Sequence, residues 1–216
     1  MPSVEESAVS VARAGIWDTE TLADVAATTF PLACPPGANR DDIAAFIART
    51  LSAERFGEYL TDPARIVLKA SIGGEIVGYL MAIDAPPADP DVAAMITVEP
   101  AVEISKLYVL PGRHGTGVSA ALMTAIVEHA AETGRAGLWL GVNQENERAQ
   151  RFYTKQGFRT VGTRSFQVGT QTHQDFVMQR ELWDRESTDP SDTPGRSVDT
   201  GRPVGTPLSA GGDLET

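Results

Sequence analysis

The sequence has 216 residues, 42% of them hydrophobic and 22% charged, with a formal net charge of -11. That composition suits one globular domain plus extras, and every apolar run is interrupted by Asp, Glu, Arg or Pro well short of the ~18 residues a membrane span needs. The acidic balance counts against nonspecific nucleic-acid binding, whose affinity comes mainly from Lys and Arg meeting phosphates, and leans toward cationic partners.

The chain opens MPSVEESAVSVARAG, acidic first and without an apolar h-region, so no signal peptide is expected and a cytoplasmic protein is the default. Residues 1–8 read as a flexible N-terminus. Residues 9–15 alternate like a strand, and Thr19 or Thr21 can cap a helix through LADVAATTF. PLACPPGAN then breaks the chain. Its Cys34 has no disulfide partner within the chain and no nearby base to make it a nucleophile. RDDIAAFIARTLSAERFGEYL predicts a second helix, with apolar residues at helical spacing through Ile43, Phe46, Ile47, Leu51, Phe56 and Leu60. RIVLKA and EIVGYLMAI, joined by SIGG, predict a hairpin. The following DAPPADPDVAAMITVEP is too rich in Pro and Asp to be regular, and loops of that length within compact domains are usually functional or mobile.

Residues 102–110 predict a third clear strand, and a glycine turn then feeds a helix of about four turns. Val118, Leu122, Ala125, Ile126 and His129 share one face of it, and Gly134 ends it. LWLGV is a short, fully apolar strand of the kind buried between layers. Asn146 caps a further helix, Gly157 stops it, and FRTVGTRSFQV pairs with QTHQDFVMQREL as a closing hairpin. The order is β-α-α-β-β-β-α-β-α-β-β, an α/β fold with a mixed central sheet flanked by helices. After Trp183 the composition changes: 18 of the last 33 residues are Gly, Pro, Ser or Thr. A disordered tail over 184–216 is therefore expected, with the folded domain over 9–183.

The stretch LYVLPGRHGTGVSAALM fits three phosphate-binding loops. From Gly112 it is G-x-x-x-x-G, but Val118 stands where a nucleotide P-loop needs lysine. From Gly115 it is G-x-G-x-x-A, a dinucleotide fingerprint, yet two antiparallel strands precede it and a single further βα unit follows. From His114 it approximates the Q/R-x-x-G-x-G/A loop that holds the pyrophosphate of coenzyme A. Downstream, NERAQRFYTKQGF has the form N-x-x-A-x-x-F-Y-x-x-x-G-F, which places Asn146, Ala149 and Tyr153 along one helical side.

With both motifs, in order and spacing, the sequence resembles the GNAT N-acetyltransferase superfamily, firmly over residues 103–158 and more loosely over 9–182. SFQVG, DFVM and the LWLGV…N-E-x-A-x-R-F-Y spelling look most like the PaiA-type polyamine acetyltransferases. The resemblance implies the acyl-CoA N-acyltransferase fold and acetyl-CoA as co-substrate. It also implies that Leu107, Tyr108 and Val109 hold the pantetheine arm through their backbone, that His114, Gly115, Thr116, Gly117, Val118 and Ser119 cradle the pyrophosphate, and that Asn146 contacts the cofactor. His114 stands where the family usually has Arg or Gln, and Ser119 where it has Gly or Ala. Backbone N–H groups at a helix N-terminus do most of that holding, and Arg113 or His114 supplies the side-chain contact.

Acyl transfer to an amine needs an oriented thioester, a deprotonated amine, donors for the carbonyl oxygen and a proton for the departing thiolate. Tyr153 is the candidate general acid, with core packing beside Phe152 as the competing account. Glu103 is the candidate base, with a solvated edge carboxylate as its competitor. On a regular strand Glu103 would share a face with Ser105, Leu107 and Val109, while Tyr108 faces the other way and is structural. His129 reads as packed and His173 as exposed, and no spacing suits a metal. The expected acceptor is a small-molecule or peptide amine. A polyamine leads on the strength of Asp84, Asp89, Asp91 and Glu99, and a protein N-terminus or lysine and a noncatalytic acyl-CoA-binding module are the alternatives. No nucleic acid or membrane is expected as a partner, and a homodimer is allowed.

Overall fold

Alternating and apolar segments become strands, and the glycine-ended amphipathic segments become helices that cover them. The computed structural model describes residues 8–34, 37–113, 115–168 and 171–182. The expected flexible start at residues 1–7, His114 and the expected tail over 184–216 lie outside the described residues. Strands β1 (Ser10–Arg13), β2 (Arg65–Ile72), β3 (Glu75–Ile83), β4 (Ala101–Val109), β5 (Gly137–Asn143), β6 (Arg159–Val168) and β7 (Gln171–Glu181) form one sheet in the order β1-β2-β3-β4-β5-β7-β6. All neighbours are antiparallel except β4 and β5, which are parallel. This is the mixed sheet that the chain order predicted.

One face is covered by α5 (Val118–Glu132) and α6 (Glu147–Lys155). Leu122, Met123 and Ile126 of α5 are fully buried against Leu80, Val102, Ile104, Leu138 and Leu140, and Phe152 and Tyr153 of α6 pack onto the same cluster. The other face is covered by α1 (Thr19–Ala33), α2 (Arg40–Thr50) and α3 (Ala53–Thr61), whose Leu22, Val25, Phe30 and Phe56 pack on Val67, Tyr79 and Met81. Burying each such side chain contributes about 1.5–3 kcal/mol, so the sheet is fixed from both sides.

Three expectations change. The helix expected over residues 40–60 is two helices: α2 ends at Thr50, and the Ser52 hydroxyl accepts the Arg55 N–H at 3.3 Å to start α3. Helix α1 runs through Pro31 to Ala33 instead of ending before PLAC. The segment read as irregular contains α4 (Pro90–Met95), with Asp89 accepting the Asp91 N–H and Pro90 in the first turn, where a missing N–H costs nothing. Val92 and Ile96 bury against Trp139 and Val177, and Gln179 brackets Thr97 with hydrogen bonds of 2.9 and 2.6 Å. A sequence-local reading sees proline and aspartate there, whereas the contacts that order the segment come from β5 and β7. No helix among the described residues is long and apolar enough to cross a membrane.

Candidate active site

Strands β4 and β5 pair only over Ala101–Gly137, Val102–Leu138 and Glu103–Trp139. Beyond Glu103 each strand stays with its outer neighbour: β4 follows β3 as far as Val109, and β5 follows β7 as far as Asn143. The two therefore diverge, and a cleft opens at their carboxyl ends with Glu103 and Trp139 at its apex. The β5-facing edge of residues 104–109, including Leu107, Tyr108 and Val109, is left without a strand partner, and its N–H and C=O groups can pair with an extended ligand. In sheets with parallel strands, ligands enter at such carboxyl ends.

Both connections after these strands end in helix N-termini at that cleft. Gly112, Gly115 and Gly117 have φ of 79°, 85° and 86°, the left-handed region that glycine occupies without strain. Gly117 is the N-cap of α5; it offers no side-chain cap, and the first turn, beginning Val118 and Ser119, has no acidic residue. The N–H groups there carry the partial positive charge of the helix end and suit an anion. Thr116 donates its hydroxyl to the Arg113 carbonyl, which holds the turn closed. At α6, Asn146 is the N-cap, its side-chain oxygen accepting the Ala149 N–H at 3.1 Å, so that oxygen is committed to its own helix and its amide N–H groups are the part left for a ligand. Nothing is described for His114, which leaves Arg113, half-buried, as the loop's described cation.

The face assigned to Glu103 requires a correction. Along the β3–β4 ladder, Ile83 pairs with Glu103, Ala82 with Ile104 and Met81 with Lys106, so Ser105 is an extra residue, a bulge. Glu103, Lys106 and Tyr108 lie opposite Ile83, Met81 and Tyr79, which alternate regularly and so point one way. Glu103 therefore faces away from Leu107 and Val109, which join the α5-side core. Tyr108, expected to face away from Glu103 as well as from Leu107 and Val109, faces away from those two but shares the face of Glu103, packing on Tyr79 and Phe30 with ring centroids 5.7 and 6.4 Å apart.

Around Glu103 the same face gathers residues that the sequence did not single out. Arg65 shares the Ile83 row, and Lys106 follows the bulge. Arg164 of β6, paired with Asp175 of β7, lays its guanidinium over Gly141 and 5.7 Å from the centre of the Trp139 ring. A side chain at position 141 would have to displace that guanidinium. Burial pushes the Glu103 carboxyl above its ordinary range, with Arg164, Lys106 and Arg65 pulling it back. Burial, with Arg65 adding to it, lowers the Lys106 ammonium to about 8, opposed by Glu103. Burial raises Asp175, opposed by Arg164 and His173. Lysine in the otherwise apolar half of a strand, ISKLYVL, was the available sequence signal.

Tyr153 approaches from α6. Its ring meets Phe152 and Phe158 edge-on, at 5.4 and 5.8 Å, and burial pushes its phenol up to about 12. The competing account, a packed core aromatic, is thus part of its environment. Its charge is also felt by Tyr108, whose own phenol burial holds well above the usual range, together with that of Cys34 and Asp175.

Comparison with known proteins agrees with this geometry. The acetyltransferase (GNAT) family model matches residues 28–158. Uncharacterized N-acetyltransferases of Mycobacterium tuberculosis and Mycobacterium bovis are 52% identical over 165 residues, covering 76% of this chain and 98% of theirs. Among solved structures, the PaiA N-acetyltransferase of Thermoplasma acidophilum in complex with coenzyme A aligns with a TM-score of 0.64 at 18% identity, over 81% of this chain and 99% of that one. The ribosomal-protein-S18-alanine N-acetyltransferase of Escherichia coli aligns with a TM-score of 0.60 at 14% identity, over 83% and 97%. At those identities the likeness to solved structures is one of fold.

Proposed function

We propose that this chain, which belongs to the GNAT family of acetyltransferases, transfers the acetyl group of acetyl-CoA directly to a primary amine bound beside it. The observation that carries this reading is the cleft opening at Glu103 and Trp139, with a half-buried carboxylate at its apex and the uncapped α5 N-terminus at its mouth. The residues fit the donor. The glycine turn and the first N–H groups of α5 suit a pyrophosphate, and the open edge of residues 104–109 suits the amide groups of a pantetheine arm.

In the reaction, the amine nitrogen forms the C–N bond with the acetyl carbonyl carbon and the C–S bond breaks, its electron pair going to sulfur. Glu103 takes the proton that the nitrogen must lose, and its elevated pKa brings it nearer to that task at neutral pH. Tyr153 donates a hydrogen bond to the departing sulfur. With its phenol at about 12, full proton transfer to a thiolate of ordinary pKa ~8.5 is uphill by on the order of 5 kcal/mol. Its contribution is therefore stabilisation of the thiolate as charge develops, rather than complete protonation.

The polyamine acceptor expected from the acidic segment before β4 keeps only part of its support. Asp84 pairs with Arg135 at 2.8 Å and Asp89 caps α4, which leaves exposed Asp91 and Glu99 of the four acids counted toward it. An open cavity of about 580 Å³ between α4 and the β6–β7 hairpin mixes Asp89 and Asp91 with Arg164 in its wall. Release of coenzyme A thiol from acetyl-CoA with spermidine, a peptide N-terminus and an amino acid side by side tests the function. Thiol release dependent on an amine supports it; acetyl-CoA binding without thiol release for any amine identifies a noncatalytic binding module instead.

A further inference from the structure

The face that Glu103 looks onto carries more charge than proton removal requires. Arg65 and Arg164 have acids of their own: Arg65 Nε is 3.1 Å from Asp62 Oδ2, and Arg164 Nε is 3.7 Å from Asp175 Oδ2. Lys106 has none. Among the described residues, its Nζ meets the Ser105 hydroxyl at 3.2 Å and the face of Tyr59 at 6.0 Å, and no carboxylate lies within 4 Å. Among the described residues Glu103 makes no ion pair either, although Lys106 stands three positions along the same strand and the Ser105 bulge turns both to one side.

A carboxylate and an ammonium that face the same space, half-buried and not joined to each other, are arranged for a ligand that bears both charges. The acceptor's ammonium goes to Glu103, which must receive its proton, and an anionic group goes to Lys106. An ammonium has three donors, and a single hydroxyl leaves two of them for that anion in a charge-assisted contact. Counting Arg65 against Asp62, Arg164 against Asp175 and Glu103 against the incoming ammonium leaves one positive charge. One charge matches a carboxylate. A polyamine has no anion to offer and would bring further positive charge toward Lys106 and Arg65, where like charges repel.

We propose that the acceptor is a small amine that also carries a carboxylate, and that Lys106 is the residue that selects it. The proposal rests on the acetyltransferase reading and narrows its substrate class. The test pairs amines that differ in one group: 4-aminobutanoate with butylamine and alanine with ethylamine, with spermidine alongside, each assayed with acetyl-CoA for thiol release. Calorimetric binding to the protein saturated with coenzyme A gives a readout that needs no turnover.

The expected result is that at least one carboxylate-bearing amine exceeds its partner about tenfold or more in kcat/KM or in affinity, as a charged hydrogen bond implies. In Lys106→Met that ratio falls to near one, with an unchanged melting-temperature shift by acetyl-CoA showing that the variant is folded. Spermidine or the plain amines matching or exceeding their carboxylate partners, or a preference that survives Lys106→Met, overturns the proposal while leaving the acetyltransferase reading in place. Carboxylate-selective binding with no thiol release for any amine has the opposite meaning: the selection stands and the transfer reading fails.

Discussion

Glu103 and Lys106 face the same side of β4 because Ser105 bulges out of the ladder between them. Residues three apart on a regular strand point to opposite faces, so the bulge turns an unremarkable i,i+3 pair into two charges bordering one cleft. It does so two residues beyond the last pair between β4 and β5, where the sheet divides.

In the proposed reaction the carboxylate form of Glu103 is the working form, and burial raises its pKa. Activity should therefore fall on the acid side at a higher pH than an ordinary carboxylate gives. Because Lys106 is one of the cations that restrain the rise, Lys106→Met should move that acid limb further up. Glu103→Gln should remove the limb and lower kcat by roughly 10²–10⁴-fold, the usual contribution of a positioned base. A pH–rate profile of the three proteins checks this; an unchanged profile in Glu103→Gln returns Glu103 to a structural role.

In the proposed reaction Tyr153 donates to a developing thiolate, an interaction that the bound ground state would not make. Tyr153→Phe keeps the edge-on ring contacts with Phe152 and Phe158 and removes the hydroxyl alone. We expect kcat to drop about 10–100-fold, the value of a hydrogen bond to a charged group, with the acetyl-CoA dissociation constant changing less than about twofold. Stopped-flow binding and steady-state turnover, measured together, separate the two.

At the glycine turn the backbone is the instrument. Gly117 has φ of 86° with open space around any added Cβ, so Gly117→Ala is costly through conformation and not through collision, by about 1–2 kcal/mol. Calorimetry should show a melting temperature lower by roughly 2–8 °C, and titration should show weaker acetyl-CoA binding. Ser119→Ala, which keeps the N–H, should leave affinity within about twofold, although serine departs from the pattern at that position.

Lys106 should impart a pH dependence of its own. Burial and Arg65 lower its ammonium to about 8, against the pull of Glu103, and the charged form exists below that value. The preference for a carboxylate-bearing amine over its plain counterpart should therefore be full at pH 7 and decline as pH rises through about 8. Taking the ratio of kcat/KM for the matched pair cancels the ordinary gain in free amine with pH; a ratio constant from pH 7 to pH 9 excludes Lys106 as its source.

The parts of the site that lie in local sequence were legible. The helix from Asn146, the glycine turn and both hairpins depend on caps, turn residues and periodicity, and all formed where those signals stood. What was hidden depends on pairing between distant segments. Nothing within EISKLYVL marks Ser105 as the bulge, since a bulge exists only relative to β3. Arg164 belongs to the site because β6 is held by β7, which is held by β5. Helix α4 was concealed by its Pro and Asp content, although Asp89-Pro90 is itself a helix-start signal, and Trp139, Val177 and Gln179 complete its order from elsewhere in the chain.

The central claim, direct acetyl transfer to an amine, is tested most directly by following both products at once. The protein is mixed with acetyl-CoA and a panel amine, coenzyme A thiol is titrated, and the acetylated amine and the intact protein are weighed by mass spectrometry. The account predicts one acetyl-amine per thiol released, with no acetylated protein accumulating before the amine is added. An acetyl-protein that forms first and is then discharged by the amine, or bound acetyl-CoA that yields no thiol with any amine, would contradict it.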